Sequence, residues 1–347
     1  MHADPVRELG NTYARIAEQN YPLGGLINLY QYYSQRLALN EAMAQRDKFT
    51  FGATSHKDQP LSIVIIIGES SRRANWQLSG YHRQTNPELS ANEGVIYFSE
   101  AISAATQTRE SIQLALTRAT PGNTAPINSE KSIISAFKEA GFRTAWFSNQ
   151  NRLSGVDTPL YVIAKETDHV YFTNGDYKKS SRFDEELITP LEDYLSNTQD
   201  PRRLIVIHTM GSHEVYRQRY PQDFATFQPA STGDDYNFAS AGIRERLLNS
   251  YDNSILYSDH VLNRLLGVID KHLSNSLVVY FSDHGENILD DQNRRFGHGG
   301  VIPTRFVTEI PCFSGHQNGS MPAGWSCVTD CLRTVKNWSA PCACSIH

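Results

Sequence analysis

Before Cys312 this chain of 347 residues has no cysteine at all; the five it contains are Cys312, Cys327, Cys331, Cys342 and Cys344. A site in the body of the protein is therefore built without thiols. The late cysteines read as two disulfides and a spare, or as a metal knuckle, but no histidine pattern beside them supports a zinc ribbon. Long apolar runs are missing too. The longest, Ile63–Ile67, is strand length, which excludes a membrane span in these residues. The stretch Met1–Gly10 is polar and charged, unlike a signal peptide, so the chain reads as soluble. Nor is there a basic excess: 32 Lys and Arg against 37 Asp and Glu give a net charge of -5. That balance excludes a general nucleic-acid binder. What remains is an ordinary core-forming composition, 39% hydrophobic and 20% charged, long enough for one large α/β domain or two small ones.

Residues 1–50 read as helical. Asp4 is a suitable N-cap with Pro5 in the first turn, and Leu26, Leu29, Tyr30, Tyr33 and Leu37 follow at helical spacing. That stripe suits packing on a domain surface; its tyrosines also suit an interfacial helix. From Leu61 the pattern becomes strand and helix in alternation. "LSIVIIIGE" (61–69) is the continuous apolar run of a strand buried on both faces. Further strands are expected at 94–98, 143–148, 169–172, 204–209 and 277–283, with helices at 129–141 and 242–272 and a surface loop near 228–240. This alternation predicts an α/β fold, a doubly wound, mostly parallel sheet flanked by helices.

In such sheets ligands bind beyond the carboxyl ends of the strands. The first strong strand ends in Glu69, another leads through His208 to His213, and the last ends in Asp283 and His284. In "FGHGG", His298 stands between glycines that let the backbone approach a ligand. Singly, an aspartate at a strand end is usually a helix cap and a histidine a satisfied side chain. Together, carboxylates and imidazoles at successive strand ends form a metal site that suits Zn²⁺ better than Mn²⁺. A zinc enzyme of this kind often needs a hydroxyl that the metal can deprotonate. "ISAATQTRES" (102–111) offers Ser103, Thr106, Thr108 and Ser111, and residue chemistry alone does not choose among them.

The blocks "IIIGESSRRANWQLSGYHRQTNPEL", "FSEAISAATQTRESI", "VIHTMGSHEVYRQRYP", "YDNSILYSD", "YFSDHGEN" and "FGHGGVIPTRFVTEIP" occur in this order between about residues 60 and 311. In that order they resemble the bacterial phosphoethanolamine transferases, relatives of the mobile colistin-resistance enzymes within the alkaline phosphatase/sulfatase superfamily. The resemblance implies Glu69, Thr106, Asp283 and His284 as ligands of one tight zinc, with Thr106 as the nucleophile. It implies His213 and His298 as residues that hold the phosphoethanolamine group or a second zinc. Gln107, Arg109 and Glu110 stand where the colistin-resistance enzymes have small or apolar residues, a departure that bears on the choice of acceptor.

The implied reaction is zinc-dependent transfer of phosphoethanolamine from phosphatidylethanolamine to lipopolysaccharide or another periplasmic glycan, through a phosphothreonine ester. It takes place at a membrane surface, on the periplasmic face of the inner membrane. A hydrolase of the same superfamily and an inactive remnant are the alternatives. A sulfatase proper needs a Cys/Ser-x-Pro-x-Arg block, which nothing around Thr106 supplies. The expected organisation is a helical linker at 1–55, a catalytic domain at 56–311 and a cysteine-rich tail at 312–347. The family's membrane helices are not among these residues. The tail's abrupt change of composition suggests translation from a shifted reading frame, with a disulfide-bonded periplasmic tail as the competing view.

Overall fold

The structure, a computed structural model, describes residues 37, 41, 44–55, 60–151, 159–174, 183–232, 237–300 and 302–316. The chain divides into two units, Met1–Phe49 with Asn128–Glu130, and Thr50–Ile127 with Lys131–His347. In the first unit residues 44–48 are helical; most of the helical stretch expected at 1–50 lies outside the described residues. No described helix is long and apolar enough to cross a membrane.

The second unit is built on a seven-stranded sheet. Its strands are β1 (Leu61–Gly68), β2 (Val95–Phe98), β3 (Arg143–Asn151), β4 (His169–Asn174), β5 (Arg202–His208), β6 (Ser276–Ser282) and β9 (Cys312–His316). A separate two-stranded ribbon pairs β7 (Asn287–Ile288) with β8 (Phe296–Gly297). The order across the large sheet is β2-β9-β6-β1-β5-β3-β4. Only β9 runs against its neighbours, so the expected mostly parallel α/β sheet is what forms.

The three central strands explain why their sequences are unbroken apolar runs. In β1 every residue after Leu61 is buried, and in β5 every residue after Arg202. A parallel strand covered by helices on both faces has no solvent side on which to place polar residues. The longer helices include α1 (Thr108–Leu116), α2 (Ile133–Glu139), α3 (Ile188–Asn197) and α4 (Ile243–His272). In α4, Leu247, Tyr251, Ile255, Leu262, Leu265, Leu266 and Ile269 are buried and recur at helical spacing. They join Val64, Ile66, Ile205 and Ile207 in one core cluster. Lys271 and His272 in the last turn of α4 suit the negative end of its dipole.

The strand β9 was not expected. "CFSGH" is short and half polar, yet it lies between β2 and β6 with Phe313 and Ser314 fully buried. The sheet therefore takes in the first five residues of the segment read as a tail. Cys312 is buried in it; the other four cysteines lie outside the described residues.

Candidate metal centre and nucleophile

The neighbouring parallel strands β1 and β6 end in register, Gly68 opposite Ser282, so Glu69 and Asp283 leave the sheet side by side. Asp283 N–H donates to the Gly68 carbonyl at 3.0 Å. A methyl at Gly68 would lie 2.3 Å from the Tyr280 hydroxyl, so glycine here leaves the room that the buried Tyr280 ring fills. Beyond the edge, Ser70 takes a left-handed φ of 56°, uncommon for a residue with a Cβ and typical of constrained sites. That turn aims its N–H at Asp283 Oδ1 (3.0 Å) and its hydroxyl at Glu69 Oε1 (2.8 Å). One strained residue thus braces both carboxylates.

Glu69, Asp283 and His284 are all essentially excluded from solvent, and each presents a ligand atom within 4.8 Å of the other two. His284 Nδ1 lies 2.9 Å from the Gly285 carbonyl. A carbonyl only accepts, so Nδ1 carries the hydrogen, leaving the Nε2 lone pair to face inward. Facing that lone pair are Glu69 Oε1 at 3.5 Å and Asp283 Oδ2 at 3.4 Å. Among the described residues Asp283 Oδ2 has no hydrogen-bond partner. Burial first, and then repulsion from Asp283, hold the Glu69 carboxyl well above the usual carboxylate range. A cation between them would relieve the repulsion of two buried carboxylates facing an imidazole lone pair. An N/O donor set of this kind fits Zn²⁺.

The hydroxyl at this centre belongs to Thr108. Its Oγ1 lies 3.2 Å from Glu69 Oε1, from Glu69 Oε2 and from His284 Nε2. Thr108 is the first residue of α1, after an extended Gln107, so the positive end of the helix dipole lies at this residue. Thr106, to which the resemblance assigned this place, instead uses its carbonyl, which accepts from Gly299 N–H at 3.0 Å. Its hydroxyl is not among the groups bonded to Glu69 or His284. Ser103 and Ser111 bond each other at 3.1 Å and brace the loop.

His298 and His213 stand beside this cluster. The ring of His298 is centred 4.2 Å from that of His284 and 6.4 Å from that of His213. His298 Nδ1 meets Glu286 Oε2 at 3.2 Å, while Glu286 Oε1 is buried with no hydrogen-bond partner among the described residues. Burial alone would lower the pKa of His298, but the Glu286 carboxylate, with Asp283 and Glu214 behind it, raises it above the ordinary value. Burial lowers that of His213. His284, Glu286 and His298 form a second group with metal-ligand spacing. Sequence reasoning gave Glu286 no such place and missed Gln150, whose amide donates to Glu69 Oε2 at 3.2 Å. Being uncharged and seven residues past the start of its strand, Gln150 carried no sequence signal.

The sulfatase family profile matches residues 62–318. This chain belongs to the sulfatase family. Within it the chain is similar to the phosphoethanolamine transferase EptC of Escherichia coli, 31% identical over 318 residues that cover 88% of this chain and 54% of that protein. It spans about half the length of the curated relatives it matches. The crystal structure of the C-terminal periplasmic domain of Escherichia coli EptC in complex with Zn matches with a TM-score of 0.69 at 29% identity, covering 77% of this chain and 76% of that one. The corresponding EptC domain of Campylobacter jejuni matches with a TM-score of 0.65 at 26% identity, covering 76% and 80%. The sulfatase-family fold and the transferase relatives agree with the resemblance carried by the sequence blocks.

Proposed function

We propose that this sulfatase-family chain transfers phosphoethanolamine from phosphatidylethanolamine to a lipopolysaccharide or other periplasmic glycan hydroxyl, with Thr108 as the nucleophile. The observation that carries this reading is the Thr108 hydroxyl set 3.2 Å from both oxygens of Glu69 and from His284 Nε2. Glu69, Asp283, His284 and the Thr108 hydroxyl would hold Zn²⁺, which supplies a Lewis acid that makes the hydroxyl acidic near neutral pH. The dipole of α1 favours the negative charge that develops on Thr108. Thr108, its hydroxyl proton lost to solvent, attacks the phosphorus of the donor through Oγ1; that bond forms, and the bond from phosphorus to the diacylglycerol oxygen breaks. His298, whose Nδ1 lies 3.2 Å from Glu286 Oε2, gives the leaving oxygen a proton. The acceptor hydroxyl then attacks the phosphothreonine, gives its proton to His298 and releases Thr108. His213 steadies the phosphoryl oxygens. By similarity to its relatives, the protein works at the periplasmic face of the inner membrane, against a membrane surface that supplies the donor.

The test is zinc content together with diacylglycerol release from labelled phosphatidylethanolamine. Stoichiometric zinc is expected, with release lost in Thr108→Ala and kept in Thr106→Ala. A well-folded protein that takes up no zinc, or a Thr108→Ala variant with full turnover, overturns the reading. Release of free phosphoethanolamine to water, with none on any glycan, would mark a hydrolase instead.

A further inference from the structure

The carboxylate of Glu69 is gripped at both oxygens by uncharged donors from two different strand ends. Ser70 Oγ holds Oε1 at 2.8 Å. Gln150 Nε2 holds Oε2 at 3.2 Å, reaching from the end of β3 past β5, which lies between β3 and β1. The same Gln150 amide nitrogen donates to the Thr209 carbonyl at 2.8 Å. With both amide hydrogens used, the side chain has one orientation that satisfies them.

The group it ties to is itself immobilised. Thr209 N–H and Oγ1 bond the Ile67 carbonyl. The next two N–H groups, of Met210 and Gly211, donate to the buried Asp184 carboxylate at 2.7 and 2.8 Å. Ser212 N–H then donates to the backbone carbonyl of Glu69 at 2.9 Å. The loop after β5 therefore fixes Glu69 twice, directly at its backbone and through Gln150 at its carboxylate.

Resting on the zinc reading above, we infer that Gln150 is a positioning residue for the metal centre: it orients the Glu69 carboxylate toward Asp283 and His284 and sets zinc affinity. The physical case is specific. Glu69 is buried beside another carboxylate, so a charged partner at Oε2 would compete with the cation for its negative charge. A neutral amide fixes the orientation and leaves that charge for the metal. Groups that orient a ligand in this way typically contribute about 10- to 100-fold to metal affinity or activity. Gln150 is partly exposed, so its removal leaves no hole in the core.

The experiment is a chelator-competition titration of zinc on the full chain, wild type against Gln150→Met and Gln150→Ala, with thermal unfolding to confirm the fold. Both variants are expected to bind zinc roughly 10-fold or more weakly. Their diacylglycerol release should fall at limiting zinc and recover as zinc is raised, with KM for phosphatidylethanolamine unchanged. In a Glu69→Gln background, Gln150→Met should add no further loss of zinc affinity. Unchanged zinc affinity with a raised KM would overturn the inference and make Gln150 a donor-binding contact. Wild type that binds no zinc would sink the metal reading itself, and the inference with it.

Discussion

The Thr108 hydroxyl lies 3.2 Å from His284 Nε2, although the two residues are 176 positions apart in the chain. One begins α1 and the other follows β6. The contact depends on the elements between them, strands β3 to β6 included, folding correctly. Each of the following outcomes probes one part of that dependence.

Gly211 has a φ of +50° and packs on the ligand-bearing turn: a methyl there would lie 2.7 Å from the Glu69 carbonyl oxygen and 2.8 Å from its nitrogen. Gly211→Ala therefore combines left-handed strain with a backbone clash that no side-chain rotation relieves. A loss of about 2–3 kcal/mol is expected by urea denaturation, with weakened zinc binding. A variant of wild-type stability and zinc affinity would show that the loop after β5 is free to move away from Glu69.

Arg72 is almost fully buried and bridges the turns that follow β1 and β6. Its guanidinium pairs with Asp290, itself 7% exposed, and donates to the Glu286 carbonyl at 3.1 Å. Arg72→Leu would leave the Asp290 carboxylate with the more exposed Arg244 and the Ile288 N–H as its partners among the described residues. The expected loss is about 3–5 kcal/mol, because removing one member of a buried pair leaves a desolvated charge behind. Restoration by the added change Asp290→Leu would confirm that the cost lies in the orphaned carboxylate. Equal losses in the single and double variants would contradict it.

His208 ends β5 with 2% exposure and no hydrogen-bond partner for Nε2 among the described residues. Burial pushes its pKa down to about 4. The unfolded chain takes up the proton first, near pH 6.5, so this residue weakens the fold as pH falls from about 6.5 to about 4. Above that window its effect is absent. The span corresponds to about 3 kcal/mol. Buried carboxylates with raised pKa values, Asp259 at about 7 among them, act in the opposite direction. The readout is therefore the difference between wild type and His208→Phe in urea midpoint across that range. The variant should lose less stability on acidification; parallel curves would refute the assignment.

Much of this was legible in the sequence where chemistry and periodicity coincide. The runs at 63–67 and 277–281 are apolar without interruption because those strands lie inside the sheet, and the strand ends deliver Glu69, Asp283 and His284 as expected. The hydroxyl that meets Glu69 and His284 stands two residues beyond Thr106, which the resemblance named. "TQT" offers two like hydroxyls, and only the start of α1 at Thr108 decides which one turns inward; a helix boundary is the least certain thing a sequence gives. Ser70 and Gln150 escaped because neutral donors leave no charge pattern. The strand at Cys312–His316 escaped because one large apolar residue in five is too little periodicity to register.

The most direct test of Thr108 as nucleophile is fragment mass spectrometry of the protein after incubation with phosphatidylethanolamine and no acceptor. A phosphoethanolamine ester localised to Thr108, absent in Thr108→Ala and retained in Thr106→Ala, is the expected result. An ester on Thr106, or one that persists in Thr108→Ala, would contradict it.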